Sequence, residues 1–280
     1  MIKTFLKKYQ VLIACYENIG MLRNYFRAKV NYLRGKKTLS KKDRFRIAQY
    51  KDIHKGKRCF IVATGPSQTI HDLELMKNEI TFTVNTGYMS YPHTEWRADY
   101  YVLMDENSSK LLEEAINGDV EYRGIFCDAL VKPSKGGEKT LRLAGDASGV
   151  FLFNTVWNRF FPHIFPLAKF SKDISKKIYA GKTVVYSCIQ IAAYMGFDEI
   201  YLTGVDCDYD KKITHSETMS YELSEEAKKR VIESGKLMRK QFEALAKILP
   251  KYGVKVYNAT RGGALESFPR VNLDDILMNQ

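Results

Sequence analysis

Short apolar runs alternate with helix-patterned segments from residue 58 onward. The runs have the length and composition of buried strands. They are Arg58–Thr64, Ile80–Asn85, Tyr100–Asp105, Gly124–Asp128, Glu199–Asp206 and Val254–Asn258. The predicted helices between them are Ile70–Lys77, Ser109–Ile116, Val184–Met195 and Ser224–Leu249. This alternation predicts an α/β fold with a doubly wound, mostly parallel sheet and helices on both faces.

The stretch from 129 to 182 departs from the alternation. It contains a Gly136-Gly137 pair, three prolines and many aromatic residues. We interpret 129–182 as an insertion or lid-like subdomain within one domain that spans residues 51–280.

Residues 1–50 have a pattern of their own, in which apolar and basic residues alternate at spacings near three and four. This predicts a basic amphipathic helical leader. Thirteen basic side chains stand against two acidic ones, so the leader carries +11 of the net charge of +12. Charge concentrated on a leader disfavours nucleic-acid binding and favours an anionic membrane surface. Packing of the leader on the body, or on a second subunit in a homo-oligomer, is the alternative.

Cysteine usage and hydropathy bear on localisation. The five cysteines are scattered, which is typical of a reducing compartment rather than of a disulfide framework. The apolar stretch at 11–15 is far shorter than the roughly 20 residues of a membrane span, and no cleavage site follows it. We therefore expect a cytoplasmic protein, with the leader as a peripheral attachment to the inner face of the membrane.

A candidate phosphate site follows the first predicted strand. This strand runs directly into Thr64-Gly65-Pro66-Ser67, and a helix comes next. A tight turn that opens a helix presents backbone N–H groups and the positive end of the helix dipole. The turn matches neither the dinucleotide-binding glycine pattern nor the P-loop. A turn with no ligand is the alternative.

Polar residues also end three other predicted strands. Asn85 and Thr86 follow the second run, Asp105 ends the third, and Asp206 ends the fifth. Ligands of doubly wound sheets bind beyond the carboxyl ends of the strands. We therefore expect these side chains to share one crevice, with turn or helix capping as the competing role of each.

Several segments together resemble a known family. They are IVATGPS at 61–67, VN at 84–85, YVLMD at 101–105, SCIQIAAYMGFDEIYLTGVDCDY at 187–209, a following His215, and YNATRGGALESFPRV at 257–271. Over about residues 58–271 the chain resembles the sialyltransferase-like family of bacterial lipooligosaccharide enzymes, with their uncharacterised and flagellin-modifying relatives. The resemblance implies a Rossmann-like domain of the GT-A-variant type.

The resemblance also implies an activity. It is transfer of a sugar, usually a nonulosonic acid, from a CMP-activated donor to a hydroxyl of a glycan or lipid-linked oligosaccharide, with inversion and without a metal. Gly65, Pro66 and Ser67 would then lie under the nucleotide phosphate, and Asn85 would touch the nucleotide.

Other positions follow the family pattern less closely. Thr183 begins the segment that replaces the Thr-Ser-Gly motif of the family before its long helix. Tyr209 and Tyr221 are candidates, by position only, for the two tyrosines that bind the leaving phosphate. These departures leave the identity of the donor sugar open.

His215 is the candidate base. The acceptor hydroxyl must lose a proton during transfer, and imidazole titrates near neutral pH. A solvated surface histidine is the alternative. Arg261, in the loop after the last strand, could neutralise a phosphate or a sugar carboxylate through its bidentate fork. A structural pair with Glu266 is the alternative for Arg261.

Two rival functions remain. Asp206 and Asp208 have a D-x-D spacing that could hold Mg²⁺ or Mn²⁺ on a nucleotide diphosphate. That arrangement would suit a metal-dependent sugar transferase or a pterin diphosphokinase-like enzyme. The second rival is a non-catalytic, membrane-associated protein of polysaccharide assembly.

Overall fold

The structure is a computed structural model that describes residues 39–104, 108–128, 139, 142–144, 148–153, 155–157, 169–209 and 225–278. The strands in this part of the chain are β1 (Arg58–Val62), β2 (Thr81–Val84), β3 (Tyr100–Leu103), β4 (Gly124–Asp128), β5 (Val150–Phe153), β6 (Thr155–Trp157), β7 (Ile178–Ala180), β8 (Glu199–Thr203) and β9 (Lys255–Asn258). The α-helices are α1 (Lys41–Ala48), α2 (Ile70–Leu75), α3 (Ser108–Asn117), α4 (Val184–Tyr194), α5 (Glu225–Ile248) and α6 (Leu273–Met278). Short 3-10 helices cover Asn85–His93 and Leu249–Tyr252.

Seven strands form one open sheet in the order β5-β4-β3-β2-β1-β8-β9, and every neighbouring pair is parallel. The predicted parallel α/β sheet is thereby confirmed, with all six predicted strands in it. β1 lies between β2 and β8, so the order of the strands reverses there. A reversal of this kind opens a crevice at the carboxyl ends of the strands, where ligands bind in such sheets.

Burial on both faces explains the continuous apolar runs. Every residue of β2 and β3 is buried, as expected for parallel strands covered by helices on both sides. Helix α4 packs against β1, β2 and β3, and nine of its eleven residues are buried. The sheet therefore holds the amino end of α4 close to the crevice.

The 129–182 stretch contributes to two sheets. β5 pairs with β4 at the edge of the main sheet, while β6 and β7 form a separate two-stranded parallel sheet. The sequence pattern predicts no strand in this stretch. Buried Gln190 of α4 binds β7 and the chain that precedes it: its Oε1 accepts from the N–H groups of Ser171 and Tyr179, both at 3.1 Å. β7 leads directly to residues that line the crevice.

The end of the predicted leader packs on the body. Ser40 and Asp43 form a capping box that begins α1. Ile47 is fully buried, and the Tyr50 ring meets Phe126 and Phe151 edge-on. Residues 1–38 lie outside the described part of the chain. Among the helices that the structure describes, none combines the length and apolar character needed to cross a membrane.

Candidate functional site

A cavity of about 290 Å³ opens at the carboxyl ends of β1, β2, β3 and β8. Its walls come from the ends of these four strands, from the amino end of α4 and from Met238 of α5. The lining includes Gly65, Pro66, Asn85, Met104, Lys182, Thr183, Val184, Val185, Asp206, Cys207, Asp208, Tyr209 and Met238. Seven of the residues expected from the sequence to serve the site are therefore around one cavity.

The Gly65-Pro66-Ser67 turn is fixed by Asp206. Oδ2 of Asp206 accepts from the Ser67 hydroxyl at 2.8 Å and from the Ser67 N–H at 3.3 Å. Gly65 donates its N–H to the Gly204 carbonyl at 2.9 Å, and a Cβ on Gly65 would overlap both that carbonyl and Asp206 Oδ2. Only glycine allows this close approach. The turn and the end of β8 are thus one rigid unit.

Left-handed backbone conformations concentrate at the cavity. Within the described part of the chain, four residues other than glycine have a positive φ angle, and three of them line the cavity: Asn85 at 42°, Lys182 at 68° and Cys207 at 50°. Such conformations cost free energy and persist at sites where the surrounding structure enforces them. The fourth, Asp52, lies outside the cavity lining.

The amino end of α4 forms one wall. Thr183 caps the helix by accepting the Val185 N–H at 3.3 Å. The first turn of a helix presents backbone N–H groups and a positive dipole end. Lys182, which is exposed, adds a positive charge beside this helix end. This wall suits a phosphate or another anion. The Gly65 turn does not offer the backbone N–H groups expected of it, because Gly65 and Ser67 already donate theirs within the protein and Pro66 has none.

Asn85 is held from two sides. Its Oδ1 accepts the Met104 N–H at 3.2 Å, and its carbonyl accepts the Tyr101 hydroxyl. Because the side-chain oxygen is already used, the amide N–H groups are the donors that a ligand would meet.

Asp206, Cys207 and Asp208 follow β8, and their surroundings determine which chemistry this side of the cavity can support. Burial raises the pKa of the Cys207 thiol to about 12, so it stays protonated and is no nucleophile near neutral pH. One oxygen of Asp206 is already occupied by two donors from Ser67. A divalent cation would have Asp208 and the other oxygen of Asp206 as ligands, which is a partial fit. Among the described residues no group of three or more His, Cys, Asp or Glu side chains could hold a metal.

Arg261 lies in a structural ion-pair cluster and does not line the cavity. Its Nε donates to Asp72 at 2.7 Å, and its two terminal nitrogens donate to Asp274 at 2.9 and 2.6 Å. These bonds raise the pKa of Arg261. The expected partner Glu266 is paired instead with Arg270. Arg261 pairs with these two aspartates rather than with Glu266 because the tertiary fold brings α2 and α6 to its guanidinium group.

The remaining predicted site residues fall in two groups. Ser67 and Thr86 are outside the lining, although Ser67 touches the site through Asp206. Asp105, His215 and Tyr221 lie outside the described residues.

Lys182, Met104 and Met238 line the cavity without having been predicted. Lys182 precedes Thr183, a helix-capping residue type in front of a predicted helix, and this capping signal could have drawn attention to it. Met238 carries no such signal, because a methionine on a helix is usually a core residue.

The fold and the cavity define an α/β Rossmann-like protein with a ligand site at the carboxyl edge of its sheet. Such a site, with the amino end of a helix in its wall, is typical of proteins that handle phosphorylated ligands. The chain belongs to the MptE-like family: the family model described as 6-hydroxymethylpterin diphosphokinase MptE-like matches residues 31–212. This family membership makes the chain a transferase-like enzyme. No curated protein matches it.

Proposed function

We propose that the cavity binds a nucleotide and that the chain transfers a group carried by that nucleotide. One observation carries the proposal: the amino end of α4, which offers backbone N–H groups and a positive dipole end, lines the same cavity as the carboxyl ends of β1, β2 and β8. Lys182 adds charge at this place, while Val184, Val185 and Met104 supply apolar walls for a base or a sugar. Such a mixture is typical of ligand sites.

The transferred group, in this proposal, is a sugar from a CMP-activated donor, and the acceptor is a glycan or lipid-linked oligosaccharide. The resemblance of residues 58–271 to sialyltransferase-like enzymes supports it. The bond between Ser67 and Asp206 supports it as well, because it makes Asp206 a poorer metal ligand than a D-x-D site requires. His215 is the proposed base and Tyr209 a proposed contact of the donor.

A second candidate is diphosphate transfer from ATP to a pterin-like alcohol. The family model favours it by its description, and both Asp206 and Asp208 line the cavity. The two aspartates would hold Mg²⁺ or Mn²⁺, which neutralises charge on transferring phosphates. The two candidates therefore differ in nucleotide and in dependence on a metal.

Calorimetric titration of the full chain with CMP, UDP, GDP and ATP, each with Mg²⁺ or with EDTA, separates the candidates. Sugar transfer predicts that CMP binds most tightly and that EDTA has no effect. Diphosphate transfer predicts that ATP binds most tightly and requires the metal. Failure of all four nucleotides to bind would contradict both. Saturable binding without any turnover of a CMP-sugar or of ATP would favour the non-catalytic rival.

Asn85→Gly and Asp52→Gly form a matched pair for this titration. Both replace a left-handed residue by glycine, which adopts that conformation freely. Only Asn85 lines the cavity, so Asn85→Gly should weaken binding about tenfold, in line with the loss of one good hydrogen bond. Asp52→Gly should leave affinity unchanged. Equal affinities of the two variants would place the nucleotide elsewhere.

His215→Ala tests the base. It should lower sugar transfer by about 100-fold or more while nucleotide affinity stays within a few-fold, because the lost contact belongs to the transition state. The acidic limb of the pH–rate profile, near the reference pKa of about 6.5, should vanish in the variant. Near-normal turnover would remove His215 from the mechanism.

A further inference from the structure

Gly235 occupies an unusual place for a glycine. It is buried in the interior of α5, far from either end of this 24-residue helix. Glycine is the least favourable residue in a helix interior after proline, so a packing reason is expected. A Cβ placed on Gly235 would lie 3.0 Å from Cγ and 3.1 Å from Cε2 of Tyr209, and closer still to Cδ2. The Tyr209 ring therefore rests directly on the α5 backbone.

Neighbouring residues of α5 hold the same segment. The Tyr209 hydroxyl donates to Met238 Sδ at 3.5 Å, a weak bond, and Arg239 donates to the Cys207 carbonyl. Positions 235, 238 and 239 lie on one face of the helix, since they are three and four residues apart. This face fixes both the backbone at Cys207 and the ring at Tyr209, and both residues line the cavity.

We propose that Gly235 is a positioning residue of the nucleotide site. Its missing side chain leaves a notch in α5 that seats the Tyr209 ring, and the seated ring forms a wall of the cavity beside Met238. A methyl group at position 235 would push the ring out of this seat, because the helix backbone cannot yield as a flexible side chain would. The inference rests on the proposed nucleotide binding, which makes Tyr209 a ligand contact.

The binding test uses the full chain and whichever of CMP, UDP, GDP and ATP binds the wild type most tightly. Gly235→Ala should weaken that affinity about tenfold by calorimetry, roughly the loss of one well-made contact. Tyr209→Ala should weaken it similarly, and the double variant should match Tyr209→Ala, because the methyl group acts only through the ring. Lys236→Ala, on the exposed side of the same helix, should leave affinity unchanged.

Thermal unfolding without ligand tests the notch independently. In the Tyr209→Ala background, Gly235→Ala should raise Tm by about 2–4 °C, because alanine stabilises a helix interior relative to glycine. In the wild-type background the same substitution should lower Tm, since it displaces the ring. A rise in both backgrounds, or unchanged nucleotide affinity in folded Gly235→Ala, would overturn the inference. Absence of nucleotide binding by the wild type would overturn the proposed function and the ligand role of Tyr209. The Tm measurements would still decide whether Gly235 seats the ring, because Gly235→Ala should lower Tm in the wild type and raise it in Tyr209→Ala.

Discussion

At the scale of single residues, Arg261 illustrates how one side chain can be committed to structure. Asp72 is buried, with 3% of its side chain exposed, and Arg261 is its partner. Arg261→Ala would leave this carboxylate buried and unpaired. We expect a loss of about 3 kcal/mol in the free energy of unfolding, the lower end for a broken buried pair because the guanidinium is partly exposed. Urea unfolding measures the loss.

Arg261→Ala should lower stability without lowering nucleotide affinity. Because Arg261 lies outside the cavity lining, affinity measured under folding conditions should match that of the wild type. The double variant Arg261→Ala/Asp72→Asn should recover part of the lost stability, since a neutral amide is less costly to bury than an unpaired charge. A large loss of affinity without a loss of stability would assign Arg261 to the ligand after all.

At the scale of elements, Gln190 joins α4 to the chain around β7. It is fully buried, and its amide group makes four hydrogen bonds with the backbones of Ser171, Tyr179 and Tyr186. Gln190→Leu would leave several buried backbone groups unpaired, at an expected cost of about 3 kcal/mol in the free energy of unfolding. Gln241→Leu is the matched control, because the buried Oε1 of Gln241 accepts no hydrogen bond. Chemical denaturation of both variants should show a loss for Gln190→Leu alone; similar curves would contradict the assigned role.

The strands and the site also show which parts of the structure the sequence pattern could predict. The apolar runs of β1 and β3 were predictable, because strands buried on both faces favour apolar residues at successive positions. β5 was missed although Val150–Phe153 is itself an apolar run, since its irregular surroundings hide it. The convergence of Gly65, Asn85 and Asp206 followed from their places at strand ends. The left-handed backbone of Cys207 and the partners of Arg261 depend on tertiary contacts, which no local pattern encodes.

At the scale of the whole molecule, His54 links stability to pH. It is 6% exposed, stacks on Phe197, and its Nε2 lies 2.6 Å from the Tyr100 hydroxyl. Burial lowers the pKa of His54, with smaller contributions from Lys57 and Arg123 in the same direction. The unfolded chain therefore binds a proton at higher pH than the folded protein does. The stabilisation is fully present above the unfolded pKa, about 6.5, and falls as the pH drops towards the lower folded pKa.

His54→Gln removes this titration. Between pH 7.5 and 5, the wild type should lose more stability than His54→Gln, as measured by urea unfolding at each pH. His93→Gln, which replaces an exposed histidine, should retain the pH dependence of the wild type. Parallel losses in wild type and His54→Gln would mean that other groups govern the pH dependence.

The position of β1 in the sheet has a consequence for biosynthesis. β1 pairs with β2 nearby in the chain and with β8, where Arg58 is opposite Glu199. During synthesis, β1 to β5 can assemble before β8 has emerged, so the edge of β1 that pairs with β8 is still unpaired. An unpaired strand edge favours aggregation. Ser67 and Asp206 are 139 residues apart in the chain, so the ligand cavity closes only when β8 docks. Nucleotide binds only the protein in which β8 has docked and the cavity is complete. Nucleotide added during refolding should therefore leave the early folding phases unchanged and should slow the unfolding of the native protein.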